Sequence, residues 1–459
     1  MGKVLARVMW GLGGLLLVAV VLLLVSYWWP ISAAQQRALA ALEAPQQRPG
    51  SNAYATLALL GVAGLTPQQR QARVDEHIRQ FEQWYATQYV PRFIKGREAE
   101  GSGVLPPPLL SDAETPPAAD PVLCAFGKAA ECLDKVRQQP EAVAAALASQ
   151  ATVLAHMDEL AAHGHYHSPL TQMDVTPWPS MRPLQAPLSA HALAYVQGDS
   201  PRALAGLCRD AGTGRMLMAH GDNLLTTMMG AAMLTANAKL FAAVLAESPG
   251  DAPLPGSCAT AFAPLSADEA STCTGMRGEF VMMRNLAGLM DRKNESKGSG
   301  HFGSLFYSGK KTVARHAEVL GAACLPEARQ AIAEDRKVQM PPAEAWSWWQ
   351  MAQMECLTNS VGCILTSIAG PAYDKYGARL QDVAAQLRLL QTALWLREHA
   401  AQDTAMPLAE RLNKLPAELR SAHRPITVSA DGGALETPAY AEAGKTLQMP
   451  LPQGLQAKQ

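Results

Sequence analysis

The sequence predicts a mainly α protein: one N-terminal transmembrane helix, then a large helical domain cross-linked by disulfides, with a small C-terminal β hairpin at most. Three observations carry this. An uncharged stretch from Met9 to Trp29 is rich in Leu and Val. The remainder is dominated by Ala and Leu and sparse in Phe, Ile and Tyr, a balance that favours helix over sheet. All eight cysteines lie beyond the apolar stretch.

At a rise of ~1.5 Å per residue, the apolar stretch reaches about 30 Å, the thickness of a hydrocarbon core. Lys3 and Arg7 precede it, and no further charge appears until Arg37. A positive leading flank and a neutral trailing one place residues 1–8 in the cytoplasm and the main domain outside, in the periplasm of a bacterial inner membrane. Tyr27, Trp28 and Trp29 sit where an interfacial aromatic belt belongs, and Pro30 should end the helix. A cleaved signal peptide competes, because Ser32-Ala33-Ala34 offers small residues for cutting. The anchor is favoured: the apolar run exceeds an ordinary signal core, and an aromatic belt has no use in a discarded peptide.

Over 459 residues the net charge is −1, with no long acidic or basic run, so nothing points to a nucleic-acid partner. An even number of cysteines on the outer side suggests disulfides in an oxidising compartment. Proximity along the chain suggests Cys124–Cys132, Cys258–Cys273 and Cys356–Cys363, leaving Cys208 with Cys324. On an unbroken helix Cys356 and Cys363 would stand ~10 Å apart, too far to bridge. A break is therefore expected at Thr358-Asn359-Ser360.

Residues 30–50 read as a polar juxtamembrane spacer, and residues 51–424 as the helical domain. Thr66-Pro67-Gln68-Gln69 opens a helix with a capping box and a proline at the first helical position. Residues 101–121 are a Pro- and Gly-rich loop or linker. A helix starts at Pro140 and stops at Gly164, followed by a Pro-rich connector from Ser168 to Pro187. Short helices over Ser189–Gly198 and Pro201–Cys208 have Ser189 and Ser200 as suitable caps. The apolar region Met216–Glu247 should break near His220-Gly221-Asp222. Gly275–Met290 reads as helix and Asp291–Gly303 as mobile. A helix is also expected over Trp346–Glu355. The clearest amphipathic helix is Arg379–His399, with Leu380, Val383, Leu387, Leu390 and Leu394 in one stripe. Residues 425–459 suit a hairpin around Asp431-Gly432-Gly433 or a disordered tail.

His163, His165 and His167, with His156 upstream, are the one metal-ligand candidate, since alternate residues of an extended segment share a side. No HExxH accompanies them, and imidazoles at a helix C-terminus, where they meet the negative end of the dipole, are the favoured reading. Gly303 to Thr312 looks like a phosphate loop but has the wrong spacing, and reads as a flexible loop with two lysines. No G-x-S-x-G elbow occurs. Asp222 and Glu279 lie beside apolar segments, and Arg277 and Arg284 are the expected ion-pair partners. Met216, Met218, Met228, Met229 and Met233 suit an irregular core better than a binding groove. Of Trp346, Trp348 and Trp349, the first and third share a helical face, leaving Trp348 partly exposed.

Several segments resemble an uncharacterised family of bacterial envelope proteins anchored in the inner membrane. They are Cys132-Leu133, His165-Tyr166-His167-Ser168-Pro169, Leu204-Ala205-Gly206-Leu207-Cys208-Arg209-Asp210-Ala211, Pro253-Leu254-Pro255, Met276-Arg277-Gly278-Glu279-Phe280 and Pro371-Ala372-Tyr373-Asp374-Lys375-Tyr376. At Asn359-Ser360-Val361-Gly362 the family pattern has proline in second place, where this chain has Ser360. The resemblance implies an envelope location and carries over no catalytic residue and no cofactor. The expected function is a periplasmic binding protein with a protein partner, either immunity-type or an accessory of an envelope complex. A metal-dependent envelope hydrolase built on His163, His165 and His167 is the alternative.

Overall fold

The computed structural model describes residues 2–95, 105–111, 114–115, 120–296, 306–340, 353–401 and 406–455. It is about 65% helical and 3% strand, so the mainly α expectation holds. The first helix, α1, spans Gly2–Tyr27 and ends before Pro30, as a ring without an N–H requires. Its apolar side chains stand exposed from Val8 to Val25. A second helix, Leu224–Glu247, is also long and apolar enough to cross a membrane, but 67% of it is buried within the body. A helix that is apolar all round is a core helix when other helices surround it.

The spacer expected over residues 30–50 contains a helix. In α2 (Ala33–Glu43) Ser32 and Gln35 form a reciprocal capping box, and Ala38 and Leu42 are buried. Two short-range features follow: α3 (Tyr54–Ala58), then α4 (Pro67–Trp84) with the anticipated Thr66–Gln69 capping box. A π-turn over Tyr85–Tyr89 leads into α5 (Val90–Lys95). After α6 (Cys132–Gln138), the helix expected from Pro140 splits at Ser149-Gln150 into α7 (Pro140–Ala148) and α8 (Ala151–Ala161). Next come α9 (Ala186–Val196) and α10 (Ser200–His220), both longer than anticipated. Their caps differ as well. Ser189 is buried inside α9, where its hydroxyl accepts from the Cys124 amide at 2.7 Å, and Asp199, not Ser200, caps α10. The break at His220-Gly221-Asp222 is present, with Asn223 capping α11 (Leu224–Glu247).

The antiparallel pair α10–α11 forms the centre of the body. The helices cross closely at two glycines. A Cβ on Gly230 would stand 2.3 Å from the Met218 amide nitrogen, and one on Gly214 2.7 Å from that of Leu234. Met216, Met218 and Met233 are buried, in line with a core role for the methionine cluster. Around this pair lie α12 (Ser257–Ala261), α13 (Cys273–Ser296), α14 (Gly309–Gly321) and α15 (Pro326–Ala333). The short α16 (Met354–Leu357) precedes α17 (Ser360–Glu398), a helix of 39 residues, and α18 (Leu408–Arg411) follows. The amphipathic segment Arg379–His399 is thus the second half of α17, with Leu380, Val383, Leu387 and Leu390 buried. Likewise, α13 runs on to Ser296 through the start of the segment expected to be mobile. The helix expected over Trp346–Glu355 lies largely outside the described residues, as do Trp346, Trp348 and Trp349.

The C-terminal hairpin is real and has a third strand. The strands β1 (Thr427–Val428), β2 (Ala434–Pro438) and β3 (Thr446–Pro450) form an antiparallel sheet in sequence order, with Leu435 opposite Met449. Leu435, Met449 and Leu451 are fully buried in the main core. Buried charge secures the junction between this segment and α17. Arg424, fully buried, donates to Asp382 at 2.9 Å and to Asp335, and its guanidinium lies 3.9 Å from the Tyr440 ring centroid.

Four cystine bridges form, two of them as expected: Cys124–Cys132 and Cys356–Cys363, the latter across the Thr358-Asn359 break. The other two correct the proximity argument. Cys208 of α10 pairs with Cys258 of α12, and Cys273 at the start of α13 pairs with Cys324. The reason is the helical hairpin: α11 carries the chain back along α10, so Cys258 returns beside Cys208 and α14 returns beside α13.

Candidate functional site

The histidine run is a splice in the chain's packing. Ala53 N donates to His165 O (2.8 Å), Gly164 N donates to Ser51 O (3.0 Å), and Tyr166 N donates to His220 O (3.1 Å). A short extended segment is thereby held between the strap of residues 45–53 that follows α2 and the α10–α11 break. Gly164 is required there, since a Cβ would meet Pro49 O at 2.3 Å. The three imidazoles go separate ways. His163 bridges Ser51 Oγ and Thr56 Oγ1 at 2.8 Å each, the His165 Nδ1 lies 2.9 Å from Pro49 O, and His167 Nδ1 lies 3.0 Å from Asp222 Oδ2. Among the described residues no three His, Cys, Asp or Glu side chains gather as a metal-binding group. Cross-chain pairing gives each ring its own partner, so His163, His165 and His167 do not converge as alternate positions of an isolated strand would.

Beside this splice opens a cleft of about 380 Å³. Its walls are the strap Pro45–Arg48, the junction His220–Asp222, the Asp268–Thr274 turn with the Cys273–Cys324 bridge, and the side chains of Arg277 and Arg329. The volume lies in the range of small-molecule or peptide-side-chain pockets, ~300–1,000 Å³. The wall at Asp222 is set by α13: a Cβ on Gly278 would overlap Asp222 O at 1.9 Å. Asp222 itself accepts from the Ser168 amide and from Asn223 Nδ2 (2.6 Å) and pairs with His167.

Most acids around the cleft are already engaged. Glu269 meets Arg215 through two hydrogen bonds, at 2.5 and 2.9 Å. Burial pushes its carboxyl up, but Arg215 and Ser266 outweigh burial and hold it below the usual range. Asp268 pairs with Arg329 at 2.7 Å. Donors are less fully used. Burial pushes the Arg277 guanidinium and the His220 imidazole down. Arg277 gives one Nη to Ala41 O (2.9 Å), while its buried Nε has no hydrogen-bond partner. The Tyr166 hydroxyl is likewise buried without one, and burial raises it well above the ordinary tyrosine value. Its neighbour Tyr54 is pushed up to about 12, first by burial.

Comparison with known proteins found no matching family model, curated protein or solved structure.

The arginine partners expected for Asp222 and Glu279 are not theirs. Arg277 reaches α2, Arg284 reaches exposed Glu43 at 3.4 Å, and Glu279 faces the Tyr373 hydroxyl at 3.4 Å. Helical rotation explains this. Positions 277 and 284 share the α13 face turned to α2, whereas 279 turns toward α17. The loop reading for Lys310 and Lys311 is also corrected: both lie in the first turn of α14, and Lys311 Nζ donates to the Ser26 carbonyl at the end of α1. One buried cluster had no forecast at all. His191 Nε2 lies 2.6 Å from Asp210, which also accepts from Arg209 at 2.7 Å, and a Cβ on Gly206 would strike the imidazole. The signal was present: Asp210 occupies the same helical stripe as Leu207 and Ala211, and an acid in an apolar stripe needs a partner.

Proposed function

We propose that this protein is a membrane-tethered interaction protein of the bacterial envelope. In this reading α1 is held in the inner membrane and the body stands in the periplasm. A protein partner meets the cleft between the strap, the α10–α11 junction and the Cys273–Cys324 bridge. The observation that carries the reading is the seating of α1. Its apolar flank is exposed along the helix, yet its end is fixed: Ser26 Oγ lies 2.9 Å from Thr358 Oγ1 and accepts from Thr358 N at 3.0 Å. A discarded signal would carry Ser26 away and leave Thr358 and Lys311 without these bonds. The four disulfides agree with an oxidising compartment.

The cleft favours a partner that presents carboxylates or backbone carbonyls, because its acids are already paired and its remaining donors are arginine and tyrosine groups. Two measurements test the proposal. Carbonate-washed membranes should retain the chain, and its intact mass should include the N-terminus. A soluble chain beginning near Ala33 overturns the tether. Pull-down from solubilised membranes should recover a stoichiometric partner, with less recovered by Arg48→Glu. Repeated recovery of none overturns the interaction role. A toxin as partner would make the role immunity, and a resident envelope protein would make it accessory.

A further inference from the structure

The first two turns of α17 are built inside out for a helix facing water. Val361, Leu365 and Ile368 recur at helical spacing and share one face, with 38%, 41% and 69% of their surface exposed. The opposite face, turned into the protein, carries the small and polar groups. Thr366 Oγ1 lies 2.9 Å from His316 Nδ1, a Cβ on Gly362 would strike Thr312, and Cys363 is bridged to Cys356. No charged residue occurs from Ser360 to Ala369. A solvent-facing helix ordinarily places its charges outward, so this face is suited to something other than water.

Its position points to the occupant. Thr358, two residues before α17, hydrogen-bonds Ser26 in the last turn of α1. Tyr27, Trp28 and Trp29 follow at once and are all exposed. At ~1.5 Å per residue, Ile368 lies within about 15 Å of that contact along the α17 axis. We propose that the face formed by Val361, Leu365 and Ile368 rests in the lipid headgroup layer beside α1, so that the body lies against the bilayer in a fixed orientation. This rests on the tether reading above. An apolar face sunk to the boundary between headgroups and acyl chains needs only such a shallow contact. Joined to α1 through Thr358, it restrains rotation of the body about the anchor, which one helix alone would leave free.

The test uses the full chain in phosphatidylcholine and phosphatidylglycerol vesicles. A fluorescent amino acid is placed at one exposed position per variant: 16 in α1, 365 in the apolar face, or 398 at the far end of α17. Two sets of lipids serve as quenchers, one spin-labelled near the headgroup to report on positions 365 and 398 and one spin-labelled midway along the acyl chain to report on position 16. Loss of fluorescence at 16 and 365, with none at 398, is expected; position 398 is about 50 Å from 365 along the helix. Quenching at 16 without quenching at 365 overturns this inference and leaves the tether intact. That outcome also covers a second copy or another protein on the face. Absence of quenching at 16 overturns the tether itself, and the inference with it. Equal quenching at 365 and 398 overturns the fixed orientation.

Discussion

Glu279 and Asp335 respond to pH in opposite senses, and both follow from their immediate surroundings. Burial raises the Glu279 carboxyl, and the Leu224 backbone N–H and the Tyr373 hydroxyl that face it offset burial only in part. Its folded pKa exceeds the unfolded value of ~4.3, so its contribution is fully present below that value and is lost as pH rises through the folded pKa. Glu279→Gln should therefore raise the melting temperature at pH 7 and leave it nearly unchanged at pH 4, as differential scanning calorimetry would show. Asp335 runs the other way. Burial raises it, but Arg424 and Arg388 outweigh burial and leave it lowered, so its contribution is present above ~3.9 and lost as pH falls through the folded value. Arg424→Ala leaves Asp335 to Arg388 and strips the buried ion pair from Asp382, and a loss of about 3–5 kcal/mol in urea denaturation is expected. Neither environment was legible in the sequence, because the partners are far apart in the chain: Asp335 and Arg424 are separated by 89 residues. The Thr66–Gln69 capping box was legible because its bonds close within three residues.

At the scale of elements, close approach decides more than propensity. Gly230→Ala would press a methyl group into the Met218 backbone and should cost about 1–3 kcal/mol. Gly212→Ala on α10 meets nothing within 4 Å and should stabilise by about 0.5–1 kcal/mol, since glycine is costly in a helix interior. Urea unfolding of the two variants gives opposite signs if the α10–α11 crossing is as described. Apolar periodicity showed that both helices exist and where they part, yet it placed the caps wrongly. Ser189 and Asp199 illustrate why. A distant amide, Cys124 N, claims the Ser189 hydroxyl, whereas Asp199, one residue ahead of Ser200, offers its carboxylate to Arg202 N. In α2 the Ser32–Gln35 box was present in the sequence, but low hydrophobicity hid a helix whose packing uses mainly Ala38 and Leu42.

For the molecule as a whole, the disulfide pattern links topology to stability. Non-reducing peptide mapping should recover Cys208 with Cys258 and Cys273 with Cys324. Chain-entropy reasoning assigns about 4 kcal/mol to a bridge closing ~50 residues and about 2.5 kcal/mol to one closing ~8. Removing Cys208 and Cys258 together should therefore lower stability more than removing Cys124 and Cys132, in guanidinium titrations under matched conditions. The same long-range closure builds the candidate site. The Cys273–Cys324 bridge forms one wall of the cleft and the strap Pro45–Arg48 another, two segments more than 200 residues apart in the chain.

The sequence by itself determined the apolar N-terminal helix, the helical class of the body, the α10–α11 break and the capped start of α4. Each depends on hydrophobic periodicity, a proline or glycine, or a bond that closes within a few residues. Tertiary structure alone decided which cysteines meet, that His163, His165 and His167 separate onto different partners, that Lys311 holds the end of α1, and that a cleft opens at Asp222. Those features depend on which distant surfaces helix packing brings together, and residue spacing along a chain carries no record of that.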